Sequence, residues 1–546
     1  MSGTTARQGP LTWYQEAVWW NQYWDSPDRS YPPTADVWYL PDRPPADVVS
    51  GIFAKLSVRY ESLRTALPMG GDGLPHQRLH APGALPPPVL SIPLGRLRRD
   101  IAGALGGFRR PGSGDPDLPR WRAVLGVKEG RVSAVGFAGD RMVMDGWATA
   151  ELHRRFLAEL RGRGASPLEA RLQPLARADH ERSPAGQAKA NAALAGLAEV
   201  FERASGPLFT RPAAPGKPRY VAAATRSASL LAHSVHAARI NRVTLPTIVL
   251  AAFAAVLVLR TGRSSVPIRS MSANRTTPAE RTGILGLYQP AHLVLDLSGD
   301  PVMADVVQRT WRESLNAYAH SEYPPDEFRE TVVRAVRGRG LVPGFQIDYD
   351  FVSAHTIAFL SGEPLTECVE PPVEHGGSDQ GRPGYGLFKA QVLGEELVLM
   401  LDADTALAPS AEIDRLLSWT VRTLFRLADA TVGEMRCEEF GKAIGLEPAG
   451  TEEPSVPTAP ASCGTAAPAA ERALREAFLA AHEGAAQVDL DHDYVGAGGR
   501  IRRVPRMVRA LTDRGYGGLR AAHVETPVSL RSVAVDLRRE SGRSGR

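Results

Sequence analysis

The stretch from Ile248 to Leu259 reads IVLAAFAAVLVL, twelve apolar residues in a row. A helix needs about 20 such residues to span a bilayer, so this run reads as a helix buried in a protein core. At 546 residues the chain exceeds one ordinary domain and is expected to form two or three. A hydrophobic content of 43% and a charged content of 23% are those of a soluble globular protein. The 64 Lys and Arg nearly cancel the 60 Asp and Glu, leaving a net charge of +4. That balance gives no global reason to expect nucleic acid as a partner. Cys368, Cys437 and Cys463 lie far apart and form neither a metal spacing nor a disulfide framework, which fits a reducing, cytoplasmic setting. The opening MSGTTARQGPLTWYQEAVWW lacks the apolar region of a signal peptide. No membrane association is expected.

The chain divides by composition. Val132 to Phe137 (VSAVGF) reads as a strand. Trp147, Ala150, Phe156, Leu157 and Leu160 then recur at helical spacing. Between them lies Asp140-Arg141-Met142-Val143-Met144-Asp145-Gly146, on a strand-to-helix loop, where side chains can converge on a cleft. A polar helical stretch over 183–203 separates two halves. The second half repeats the theme with a helix over 245–263 and strands at SVPIRSMSANR (265–275) and AHLVLDL (291–297). From Leu446 to Glu471 Pro, Ala, Thr and Ser dominate, which reads as a linker. A compact segment follows.

These pieces carry a resemblance. LTWYQEAVWW (11–20), RYESLRTAL (59–67), SANR (272–275), ILGLY (284–288), DLSGDP (296–301) and AHSEYPPDEF (319–328) occur in the order of the motifs of nonribosomal peptide synthetase condensation domains. The first two match at Gln15, Trp19, Arg59, Glu61, Leu63, Arg64 and Thr65. The resemblance spans about residues 10–435. It implies an α/β (α+β) fold of two chloramphenicol-acetyltransferase-like lobes in a V-shaped pseudo-dimer, with a tunnel between them that carrier-bound thioesters enter from opposite ends. The expected divisions are an N-lobe over 10–180, a C-lobe over 181–440, a linker over 446–471 and a carrier-like helical domain over 472–540.

The family's H-H-x-x-x-D-G motif aligns on the 140–146 loop. Asp140 stands at the first His and Arg141 at the second, which the family uses to deprotonate or position the attacking amine. Asp145 and Gly146 match. In the family the Asp is mainly structural and pairs with an Arg of the other lobe, so the resemblance implies a clamp between Asp145 and Arg275. A carboxylate and a guanidinium can make two parallel hydrogen bonds. Pro290 and Ala291 stand where the family has Asn and Thr. Arg141 cannot serve as a base, because a guanidinium stays charged, but it could hold an anion or fix a carbonyl. Two readings follow. In one, Asp140 and Arg141 are structural replacements in a site that no longer catalyses. In the other, proximity substitutes for the base: a base contributes about 10²–10⁴ in rate, whereas juxtaposition supplies effective concentrations of about 10⁵–10⁸ M.

The last segment resembles a peptidyl carrier domain. DHDYVGAGGRIRR (491–503) and VETPVSLRSVA (524–534) line up with its motifs. The serine that receives phosphopantetheine in that family falls on Ile501, preceded by Arg500. No pantetheine is expected there. From Arg500 to Arg546 twelve Arg face four acidic residues. This is either a solvated basic face or a surface that docks an acidic partner such as a carrier domain. The histidines are scattered without metal spacing, and His320 reads as structural. EHGGSDQGRPGYG (374–386) reads as the family's segment that crosses between lobes.

The resemblance places the chain in a nonribosomal peptide (antibiotic, secondary-metabolite) pathway with two competing functions. It would be a non-catalytic protein that binds carrier domains or recruits a tailoring enzyme, or a trans-acting condensation enzyme forming an amide without the histidine base. Its partners would be carrier domains of a synthetase, which bring their own pantetheine arms. No metal or cofactor is expected.

Overall fold

The computed structural model describes residues 6–24, 33–108, 111, 117–164, 172–209, 215–352, 370–377, 384–448 and 467–539. Two sheets organise it. The first contains β1 (Thr34–Tyr39), β2 (Val89–Pro93), β3 (Trp121–Lys128) and β4 (Arg131–Gly139), in the order β1-β4-β3-β2. β4 is antiparallel to β1 and β3, while β2 joins β3 in parallel. The second contains β5 (Tyr220–Ser227), β6 (Ser265–Ser272), β7 (Gln289–Asp296), β8 (Ile347–Val352), β9 (Glu374–Gly377), β10 (Gly386–Leu393) and β11 (Glu396–Asp404), in the order β7-β6-β8-β10-β11-β5-β9. β8 runs parallel to both of its neighbours.

Eight helices matter to the argument: α1 (Trp13–Val18), α2 (Gly146–Leu160), α3 (Pro184–Arg203), α4 (Leu245–Thr261), α5 (Pro325–Arg339), α6 (Pro468–Ala481), α7 (Val504–Thr512) and α8 (Leu530–Asp536). α4 contains the apolar run. Thr244 caps its N-terminus, and Gly262 ends it in the left-handed region at φ 64°, which glycine adopts without a Cβ penalty. Every residue from Ile248 to Leu257 is buried. A helix apolar on all sides needs partners on all sides, and the second sheet and surrounding helices supply them. The first sheet is held by an aromatic cluster in which Trp38 stacks on Phe137 at 5.2 Å and Phe53 on Trp121 at 5.5 Å. Among the described residues no single helix is long and apolar enough to cross a membrane.

Two expectations need correction. Leu446 is buried at 6% exposure in the core of the second lobe, and α6 begins at Pro468. The stretch read as linker therefore has folded ends, because Pro at the first turn followed by Ala-rich sequence starts a helix. Second, Glu374–Gly377 does not cross to the first sheet. It forms the edge strand β9 against β5 of its own sheet, while residues 378–383 lie outside the described set. Cys368 and Cys463 lie outside it too. Cys437 is buried beside Met303, with a sulfur–sulfur distance of 3.7 Å, and burial pushes its thiol up to about 12, which leaves it inert.

Candidate functional site

The 140–146 loop connects β4 to α2. Asp140 is fully buried. Its carboxylate pairs with Arg120 and accepts the Met142 amide N–H at 2.8 Å, so it ties the loop to the residue that leads into β3, and both of its oxygens are engaged.

Asp145 is the N-cap of α2. Oδ1 accepts the Ala148 amide at 2.7 Å, satisfying an otherwise orphaned helix donor. Oδ2 accepts the Leu287 amide at 2.9 Å. Arg275 completes the set from the other lobe: Nη2 reaches Oδ1 at 3.0 Å and Oδ2 at 3.1 Å. Two parallel bonds from two nitrogens were expected. Instead one nitrogen bridges both oxygens, because Nη1 is spent on the carbonyls of Glu280 and Gly283 and Nη2 also donates to Leu285 O at 2.7 Å. Arg275 thus folds the 280–285 segment around itself and offers that segment to α2. Trp147 adds a bond from Nε1 to Arg281 O at 2.9 Å. Gly146 is exposed, and a Cβ there would meet nothing within 4 Å.

Arg141 is partly buried. Its backbone carbonyl accepts from Tyr14 Oη of α1, its side chain bonds Tyr288, and its buried Nε has no partner. Tyr14 and Tyr288 meet edge to face at 5.2 Å. Burial holds both phenols above their ordinary values, with Arg141 opposing that shift. Gly286 is required here by close approach: a Cβ would lie 1.7 Å from Tyr14 Cε1. Asp350 on β8 interacts electrostatically with Tyr288. Burial raises its carboxyl, opposed by Lys389, its partner across the β8–β10 pair. A cavity of about 500 Å³ beside the seam is lined by Ser272, Asn274, Arg275, Tyr318 and Glu322, among others.

Tyr14, Tyr288 and Asp350 were not singled out from sequence. Tyr14 and Tyr288 lie inside LTWYQEAVWW and ILGLY, so their positions were visible, but not that they converge. Pro290 and Ala291 lie on β7. Pro290 O accepts from Tyr323 Oη at 2.7 Å, and Ala291 is buried. His320 sits at a helix end with Nδ1 2.9 Å from Asn316 O. Among the described residues no group of three His, Cys, Asp or Glu is arranged to hold a metal ion.

The C-terminal segment packs on the rest of the chain. Ile501 is 1% exposed, in a short 3₁₀ turn leading into α7. Arg500 pairs with Glu330 of α5 at 2.8 Å. Among the described residues, five of the twelve arginines of this run pair with acidic side chains of the chain itself, on a face that stays exposed to solvent. Arg506 pairs with Glu483, Arg514 with Glu476, Arg520 with Asp536, and Arg531 with both Glu471 and Asp491.

No protein-family model matches the chain. A curated relative, the probable non-canonical nonribosomal peptide synthetase CymA of Salinispora arenicola (strain CNS-205), is 28% identical over 278 residues. The match covers 50% of this chain and 3% of that protein, so the chain spans a small fraction of this relative's length. The similar solved structures include three from polyketide and peptide assembly lines. The condensation domain of the Monacolin K polyketide synthase MokA aligns with a TM-score of 0.60 at 17% identity, over 80% of this chain and 100% of that one. A condensation domain mediating chain release from the enacyloxin polyketide synthase gives 0.59 at 18%, over 78% and 84%. The X-domain from teicoplanin biosynthesis gives 0.56 at 18%, over 80% and 98%. The chain therefore has the condensation-domain fold, a mixed α/β architecture of two chloramphenicol-acetyltransferase-like lobes.

Proposed function

We propose that this protein is a non-catalytic, condensation-domain-like component of a nonribosomal peptide pathway that binds carrier domains. One observation carries the reading: both carboxylates of the 140–146 loop are already committed. Asp140 is held by Arg120 and Asp145 by Arg275. Arg141 cannot take a proton at neutral pH. A general base must reach the proton it removes, and this loop offers none. The partners are then loaded carrier domains, which supply the pantetheine arms, and the chain itself needs no cofactor.

Asp350 supports a second reading, the trans-acting condensation enzyme. Its carboxyl is raised by burial and lies within electrostatic reach of Tyr288. The unpartnered Nε of Arg141 could hold a thioester carbonyl nearby while proximity does the rest.

The deciding experiment is single-turnover amide formation between a loaded donor carrier and an amine-bearing acceptor carrier, run alongside a direct binding measurement. Binding without product above the uncatalysed rate supports the first reading. Product whose rate falls at least tenfold in Asp350→Asn overturns it in favour of the second.

A further inference from the structure

The C-terminal module is seated with its carrier-type attachment position turned inward. The Ile501 amide N–H donates to Glu330 Oε1 at 3.1 Å, and Arg500 Nη1 donates to Glu330 Oε2 at 2.8 Å. Glu330 is itself only 2% exposed. Its two oxygens are therefore shared between the residues at the point where a carrier would hold its arm. Arg500 is fixed from behind as well: its N–H donates to His482 Nε2 at 3.1 Å and its carbonyl accepts from Tyr494 Oη at 2.8 Å.

The same helix, α5, makes two further contacts. Arg337 grips Asp493 through Nε at 2.6 Å and Nη2 at 2.5 Å, a bidentate pair. Arg329 reaches Glu525 at 2.7 Å. The first lobe contributes a second edge. Arg509 donates to Gly71 O at 2.5 Å, and Gly73, at φ +82°, lies so close to Pro505 that a Cβ would come within 2.9 Å of Pro505 Cβ. Arg502 acts electrostatically on Glu16 of α1, two residues from Tyr14, which bonds the motif loop. One apolar cluster runs from the first lobe into the module and includes Ile501, Val504 and Met507.

We propose that the module is a built-in cap. It occupies the face formed by α5 and the 70–74 loop and closes that face to external carrier domains while Glu330 and Arg337 hold it. This rests on the carrier-like reading of the module. A domain of the same chain competes intramolecularly, at an effective concentration that a dilute free carrier does not match. A serine restored at position 501 would still be hidden from a modifying enzyme.

The test uses the full chain carrying Ile501→Ser, a phosphopantetheinyl transferase and coenzyme A, read by intact mass. The expected result is slow or no addition of the arm, rising at least tenfold when Glu330→Ala and Arg337→Ala are combined with Ile501→Ser. Equal rapid addition to both proteins overturns the cap. Addition to neither sinks the carrier-like reading, and a second measurement then decides the seating by itself. A protease site is placed in the 451–466 stretch of the wild-type chain, and the cut protein is run on size exclusion at low salt. The module should co-elute with the body and separate from it in Glu330→Ala/Arg337→Ala. Separation of the cut wild-type halves overturns the cap.

Discussion

Arg275 Nη2 bridges both oxygens of Asp145, at 3.0 and 3.1 Å, with the two side chains 1% and 3% exposed. The pair joins the N-terminus of α2 to the 280–285 segment of the other lobe. Removing one member of such a buried pair strands the other charge and costs about 3–5 kcal/mol. Asp145→Ala also removes the α2 cap, an added cost of about 1 kcal/mol. Denaturant unfolding of Asp145→Ala and Arg275→Ala should therefore show losses of that size. Near-wild-type stability for both would mean that the lobes are joined elsewhere.

Arg141 differs in kind. Its side chain bonds Tyr288 but its Nε has no partner, so Arg141→Ala should cost little, within about 1 kcal/mol. Under the binding reading, affinity for a loaded peptidyl carrier domain should stay within about twofold. Calorimetric titration of wild type and variant checks this, and a loss of binding would make Arg141 a contact residue.

Glu16 gives a pH signature. Burial raises its carboxyl to about 7, against the opposing pull of Arg182 at 2.7 Å. An acid whose folded value lies above its unfolded one favours folding fully below the unfolded value, near 4.5. That contribution is lost as pH rises through about 7. Glu16→Gln should accordingly raise the unfolding free energy at pH 8 by about 1–3 kcal/mol and change it little at pH 4.5. Equal effects at both pH values would contradict the burial argument.

His292 has the opposite sign. Its ring is buried among Phe201, Phe328 and Phe345, its Nδ1 has no partner, and burial lowers its value to about 3, assisted by Arg269. A base lowered on folding favours the folded state above its unfolded value, near 6.5, and loses that contribution as pH falls toward 3. His292→Phe should flatten the fall in melting temperature between pH 6.5 and 4.5. An unchanged slope would show that other groups set the acid limit.

Local sequence determined what depends on neighbours along the chain. The apolar run became α4 because a helix buried on all sides needs no polar face. Asp145 caps α2 because a carboxylate beside the first turn satisfies free amide donors. The ordered motifs pointed to the two-lobed fold. Sequence could not show that Tyr14 and Tyr288, 274 positions apart, would meet across the lobes, or that Glu330 would take the Ile501 N–H from a segment 171 residues away. Nor could it show which arginines of the basic C-terminal run would find acidic partners within the protein. Periodicity and capping act over a few residues, whereas these contacts form only once separate elements pack, so tertiary structure alone decided which charges were matched and which way position 501 faced.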